Sequence, residues 1–166
     1  TRDAMYLIYS ILLGLGATLT SPYWLLKGIR ERKYLANFRQ RLGLSLPGIR
    51  RNPRPLWIHA VSVGEVLAAK PLIRSLASQH PNVPLVVSTV TVTGQALARK
   101  EFGGAASVIY FPFDWDFSIR RFLTQIGPRA VVLLETELWP NFLKNCSETA
   151  IPVFLVNGRI SDHSIR

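Results

Sequence analysis

One cysteine, Cys146, stands in a chain of 166 residues. No internal disulfide can form, and a lone thiol reads as a packed side chain rather than a nucleophile. It is compatible with the cytosol. There is no G-x-G-x-x-G string and no P-loop lysine, which argues against a dinucleotide or nucleoside triphosphate site. Internal repeats and low-complexity segments are also missing. Acidic residues are scarce, 10 Asp/Glu against 20 Lys/Arg, for a net charge of +10. The deficit is local. Residues 1–54 hold ten basic and two acidic side chains, whereas residues 55–166 hold ten and eight. Basicity therefore belongs to an amino-terminal arm. Such an arm suits nucleic acid or an anionic membrane surface, and what precedes the basic run selects the membrane over nucleic acid.

That preceding stretch, Ala4 to Leu26, is 23 residues without a charge, long enough to span a bilayer. Tyr6 and Tyr9 lie toward one end and Tyr23 with Trp24 at the other, as in an aromatic belt. Lys27, Arg30, Arg32, Lys33, Arg39 and Arg41 follow, and positive charge marks the cytoplasmic side. A cleavable signal peptide would carry its basic residues ahead of the apolar run, where only Arg2 stands, beside Asp3. Thr18, Thr20, Ser21 and Pro22 interrupt the second half, so a monotopic helix is the alternative to a full span. The expected organisation is a membrane anchor over 1–26, a basic connector over 27–54 and an α/β domain over 55–166. The expected location is the inner (cytoplasmic) membrane, with the domain facing the cytoplasm. A chain that opens on Thr1 and stops at Arg166, just after a strand, reads as a fragment.

From Leu56 the pattern alternates. Apolar runs of strand length cover 56–61, 85–90, 106–110, 130–134 and 151–156. Helix-like stretches cover about 65–79, 94–102, 116–126 and 138–148. Strand and helix in turn predict crossovers and a parallel sheet. Pro71 should kink or shorten the first of these helices.

Two carboxylate motifs lie at strand ends. Residues 57–65 read Trp-Ile-His-Ala-Val-Ser-Val-Gly-Glu, a buried strand turning sharply into a helix with Glu65 at the turn. In open α/β sheets ligands collect outside the carboxyl ends of strands, where a Glu can take a proton from a substrate hydroxyl. The plainer alternative is a Glu in a first helical turn, stabilised by the helix dipole. Residues 130–134 form a second apolar strand ending in Glu135 and Glu137, which point the same way if strand geometry persists. Ser62 and Gly64 open backbone N–H groups toward a helix start, where a phosphate or carboxylate fits; the alternative is that Gly64 simply permits a tight turn. Thr89, Thr91 and Thr93 can offer hydroxyls to a sugar or phosphate, or serve as strand residues and a helix cap, with Thr93 a candidate. Asp114 and Asp116 bracket Trp115 in a D-x-D pattern. No third ligand is in view, so Asp116 reads as an N-cap and no metal is expected. His59, inside an apolar strand, reads as a buried neutral histidine. Arg159, after the last strand, can hold a phosphate or lie solvated in a loop.

The strings HAVSVGE, TVTVTG, YFPFDWD, LLETELWPN and VNGRIS, in this order, resemble the amino-terminal half of the 3-deoxy-D-manno-octulosonic acid (Kdo) transferases of lipopolysaccharide synthesis. The similarity runs from about residue 5 to the end. It implies a Rossmann-like parallel sheet, the amino-terminal domain of a GT-B fold, preceded by a membrane-associated helix. It further implies an acceptor site for lipid A precursor, and a second domain, not in this chain, for the donor CMP-Kdo. Glu65 would be the general base, and Glu135 would orient the acceptor or stabilise developing positive charge. Ser62, Gly64, Glu137 and Arg159 would contact substrate. No cofactor and no metal are implied, and the fragment alone would be inactive. The alternatives are a membrane-tethered α/β binding domain without chemistry, or a GT-B transferase of other donor and acceptor.

Overall fold

A computed structural model describes residues 5–6, 8–16, 18–20, 32–135 and 139–156, without the side chains of 32–36. Glu137, Arg159 and residues 21–26 of the expected anchor lie outside the described residues. Five strands form one parallel sheet: β1 (Leu56–His59), β2 (Leu85–Thr89), β3 (Ala106–Tyr110), β4 (Ala130–Leu134) and β5 (Val153–Val156). Their spatial order is β3-β2-β1-β4-β5. The chain thus builds outward from β1 to β3, then returns to the other side of β1. Register places His59 level with Ser88 of β2 and Leu133 of β4.

Helices cover both faces, so alternate residues of each strand enter different cores. Trp57, Val86, Ile109, Val131 and Leu133 pack with Phe122, Ile126 and Phe142, from α5 (Asp116–Ile126) and α6 (Pro140–Glu148). Ile58, Val87, Val132 and Leu134 pack with Val66, Ile73, Ala98 and Phe102, from α3 (Val63–Gln79) and α4 (Val92–Phe102). Burial on both faces explains why these strands are apolar throughout rather than alternating. β5 is an edge strand, and Phe154, Leu155 and Val156 are exposed.

Several element limits differ from expectation. β1 ends at His59, because the chain turns at Ala60 to start α3 early. α3 runs through Pro71 without shortening. Pro71 lies on the exposed side, where the carbonyl that loses its helical donor can bond to water. Thr91, not Thr93, caps α4, accepting from the Gly94 N–H at 3.0 Å. Trp115 is the N-cap of α5, so Asp116 is its first residue rather than its cap.

The stretch read as a connector packs on the domain. α2 (Arg32–Arg41) ends against β3, where the Tyr110 N–H donates to Gln40 Oε1 at 2.7 Å and Arg41 Nε donates to the Phe111 carbonyl at 3.0 Å. Leu46 and Ile49 then lie against the Trp57 core.

Residues 5–6, 8–16 and 18–20 are helical and are called α1. Tyr6, Tyr9, Ser10 and Leu13 are partly buried, whereas Met5, Ile8, Ile11, Leu12, Leu15 and Leu19 are exposed. The helix thus turns two tyrosines and a serine toward the protein and an apolar stripe outward, the reverse of a surface helix in water. Among the described residues no helix is long and apolar enough to cross a membrane.

Candidate functional site

The strand order reverses between β1 and β4. In open α/β sheets the crevice outside the carboxyl ends of strands at such a reversal is where ligands bind. Glu65 follows β1 and Glu135 follows β4. Extending the His59–Leu133 register by two residues brings Val61 level with Glu135.

Glu65 is the third residue of α3 and only 5% exposed. The Val61 N–H donates to its Oε2 at 2.8 Å and the Ser62 hydroxyl to its Oε1 at 3.1 Å. These bonds turn the side chain back over the start of its own helix, much as in a capping box. The Ser62 hydroxyl is directed at Glu65 rather than at the helix N–H groups. Gly64 keeps a negative φ, and a Cβ there would meet only Ser62 Oγ, at 3.9 Å. The fold therefore does not demand glycine for a tight turn, and the space beside the helix start is open.

Gly94 is different. A Cβ there would come within 2.7 Å of Thr91 Oγ1 and 3.4 Å of the Ser62 and Val61 backbone. The Val90 and Thr91 N–H groups donate to the Val61 carbonyl at 3.2 and 3.3 Å. The 89–94 segment thus presses against the turn that carries Glu65, which requires glycine at the contact. Thr89 donates to Gln95 Oε1 at 2.6 Å in the interior. Thr89 and Thr91 are accordingly structural.

Glu135 is half-buried, with φ 58° and its N–H bonded to the Val156 carbonyl at 2.9 Å. The strand ends at Leu134 and Glu135 itself is left-handed, so the strand geometry expected through this motif stops before Glu135. A left-handed conformation costs a non-glycine residue about 1–2 kcal/mol. Such strain collects at functional sites.

His59 is fully buried, stacked on Phe111 at 3.9 Å with Nδ1 3.0 Å from Ser88 Oγ. Burial pulls its pKa down to about 3, against the opposing bond to the Ser88 backbone, and the Arg41 charge adds to the fall. It is neutral, as its strand position predicts. Asp114 and Asp116 serve different helices. Asp114 accepts the Asn141 and Phe142 N–H groups at 3.1 and 2.8 Å, capping α6. Asp116 accepts from Arg120 at 2.6 Å and Asn145 at 2.9 Å. Among the described residues no three His, Cys, Asp or Glu side chains are grouped to hold a metal. Burial raises Cys146 to about 12, well removed from a reactive thiolate.

A hollow of about 340 Å³ lies elsewhere, lined by residues that include Arg50, Pro84, Leu85, Gly104 and Ala106. These surround the amino-terminal ends of β2 and β3, the edge opposite Glu65. The strand-end rule favours the Glu65 edge over this hollow.

Sequence reasoning missed the contact of α1 with this edge. Tyr9 donates to Asp114 Oδ2 at 2.9 Å, and Asn141 Nδ2 donates to Ser10 Oγ at 3.1 Å. Residues 105 and 131 positions apart leave no local signal of pairing.

Comparison with known proteins agrees with the motif resemblance. Residues 36–166 match the family described as 3-Deoxy-D-manno-octulosonic-acid transferase (kdotransferase). The chain is 34% identical over 139 residues to a 3-deoxy-D-manno-octulosonic acid transferase of Haemophilus influenzae, covering 84% of this chain and 33% of that protein. It is 37% identical over 117 residues to one from Bordetella pertussis, covering 68% and 27%. It is 32% identical over 139 residues to a probable mitochondrial one from Arabidopsis thaliana, covering 83% and 31%. The chain thus spans about a third of the length of these relatives.

Proposed function

The chain belongs to the Kdo transferase family, and from that premise we propose that it is the acceptor-side part of a glycosyltransferase that moves Kdo from CMP-Kdo to a sugar hydroxyl of lipid A precursor. The observation that carries this reading is a pair of carboxylates, Glu65 and Glu135, following neighbouring strands at the point where strand order reverses. Glu65 takes the acceptor's hydroxyl proton as that oxygen attacks the anomeric carbon of Kdo. The bond from that carbon to the CMP phosphate breaks, and CMP leaves with the electron pair. The bonds from Val61 and Ser62 hold the Glu65 carboxylate in one direction.

Glu135 orients the acceptor or stabilises positive charge developing at the sugar. Glycine would suit its left-handed backbone better, so the carboxylate there has a use that outweighs the strain. Ser62 holds Glu65, and Gly64 leaves room for substrate beside the helix start. Glu137 and Arg159 are substrate contacts by their place in the sequence alone, Arg159 for an acceptor phosphate. Donor binding falls to a part of the protein outside this chain. The test is transfer by the full-length protein, with CMP-Kdo and lipid A precursor as substrates and the product detected by mass. Product should form with the full-length protein and not with residues 1–166 alone, since both halves are needed to align the reacting atoms. Transfer by residues 1–166, or none by the full-length protein, counts against the proposal.

The bonds that Val61 and Ser62 donate to Glu65 also favour a second reading, a membrane-tethered binding domain in which Glu65 only caps α3. Substitution of Glu65 separates the two.

The outward apolar stripe of α1 and the +8 charge of residues 1–54 support attachment to an anionic lipid surface, the cytoplasmic face of the inner membrane. Electrostatic attraction weakens with salt, whereas apolar insertion does not. Full-length protein should stay on anionic vesicles at high salt, and a variant lacking residues 1–26 should be released. Retention of that variant at high salt would show that the anchor lies elsewhere.

A further inference from the structure

The protein-facing side of α1 meets the domain at the edge that carries Glu65 and Glu135. Asp114 follows β3, and Asn141 lies in the first turn of α6, which opens shortly after Glu135. One carboxylate joins the two places: Asp114 caps α6 through the Asn141 and Phe142 N–H groups and also accepts from the Tyr9 hydroxyl. Ser10 accepts from Asn141 Nδ2, and Lys144 Nζ lies 5.1 Å from the centre of the Tyr6 ring. The contacts at Tyr6, Tyr9 and Ser10 recur at helical spacing, which is the condition for a helix lying along a surface. On the opposite side Met5, Ile8, Ile11, Leu12, Leu15 and Leu19 form the exposed stripe.

We infer that the Tyr9–Asp114 bond is a positioning latch, which holds α1, and the lipid surface its stripe enters, at a set height and angle to the Glu65–Glu135 edge. The inference rests on the acceptor-side function proposed above. An interfacial helix seats its apolar face roughly 5–10 Å into the headgroup boundary. A lipid-anchored acceptor therefore presents its sugar at a depth the membrane sets. An enzyme whose helix is free to swing still binds that membrane but no longer holds its base level with the sugar. Misplacement of about 1 Å can cost on the order of 10²-fold in rate.

The probe is Tyr9→Phe in the full-length protein, which keeps the ring and the outward stripe and removes one hydroxyl. Loss of this bond leaves the latch open for a substantial part of the time. Three quantities are compared with wild type: binding to anionic phospholipid vesicles, transfer to acylated acceptor embedded in those vesicles, and transfer to a water-soluble acceptor fragment without acyl chains. Vesicle binding and transfer to the soluble acceptor should be unchanged, while transfer to the embedded acceptor falls about tenfold, within the range that bond's loss allows. A structural role would lower both transfers together, and an idle contact would lower neither; either result overturns the latch. Loss of vesicle binding overturns it as well. Failure of the wild type on both acceptors instead rejects the acceptor-side function, which keeps the two failures distinct.

Discussion

Replacing Glu65 by Gln in the full-length protein is expected to lower the transfer rate by roughly 10²–10⁴-fold, the range typical of a lost general base. The substitution preserves shape and removes the charge that accepts the proton. It also replaces one carboxylate oxygen with an NH2 group, so only one of the Val61 and Ser62 donors keeps its partner. That should destabilise the helix start by about 1 kcal/mol, far too little to account for the rate. A capping side chain would give the converse, the same small loss of stability with transfer nearly intact, and that outcome would reject the catalytic role. Glu135→Gln should also slow transfer, and it should raise KM for the acceptor alongside. Kinetics with acceptor varied at saturating CMP-Kdo, together with a thermal melt of each variant, measure all of this.

Trp57→Ala is expected to cost about 3–5 kcal/mol of stability, as removal of a buried aromatic does. Trp57 is fully buried. Its ring packs edge-on to Phe142 at 5.3 Å, stacks on Phe122 at 6.1 Å and lies tilted to Phe111 at 5.9 Å. It therefore joins β1 to α5, to α6 and to the segment after β3. Its indole N–H donates to Ser88 Oγ at 2.8 Å, so the bond to β2 is lost with the packing. Domains of ordinary stability hold only about 5–15 kcal/mol in total. Denaturant unfolding should show a large drop in midpoint, with Trp57→Phe intermediate because it keeps part of the ring and loses the N–H. A change under about 1 kcal/mol for Trp57→Ala would mean that this core closes over the cavity.

The apolar runs at 85–90, 106–110 and 130–134 were legible as strands, and the helical stretches between them as crossovers. A strand buried on both faces has no polar side to show, and the sequence carries that directly. Glu65 could be placed at a strand-to-helix turn for the same local reason: an apolar run, then Ser62 and Gly64, then helical spacing. Elsewhere the local pattern gave the element but not the role. Asp116 looked like the cap of α5 but is its first residue, whereas Asp114 caps α6, a helix that begins far along the chain. A shared direction for Glu135 and Glu137 depended on strand geometry persisting past Leu134, and at Glu135 the backbone is already left-handed. Nothing in the residue types around Glu135 signals that conformation, since glycine is what normally marks it.

The sequence by itself determined that parallel strands alternate with helices, that Glu65 stands at a strand's carboxyl end, and which family the chain resembles. Each follows from residues close together in the chain. Only the tertiary structure decided that β4 returns beside β1, so that the strands preceding Glu65 and Glu135 are neighbours. It also decided that α1 turns its tyrosines inward and its apolar stripe outward, against the edge where those carboxylates lie. The physical reason is common to both. A strand buried on both faces can satisfy its hydrogen bonds and bury its side chains beside several partners, and a helix apolar nearly all round has no face marked as inner. The choice is made by long-range packing and by single distant bonds such as Tyr9 to Asp114, and neither is written in any local stretch of residues.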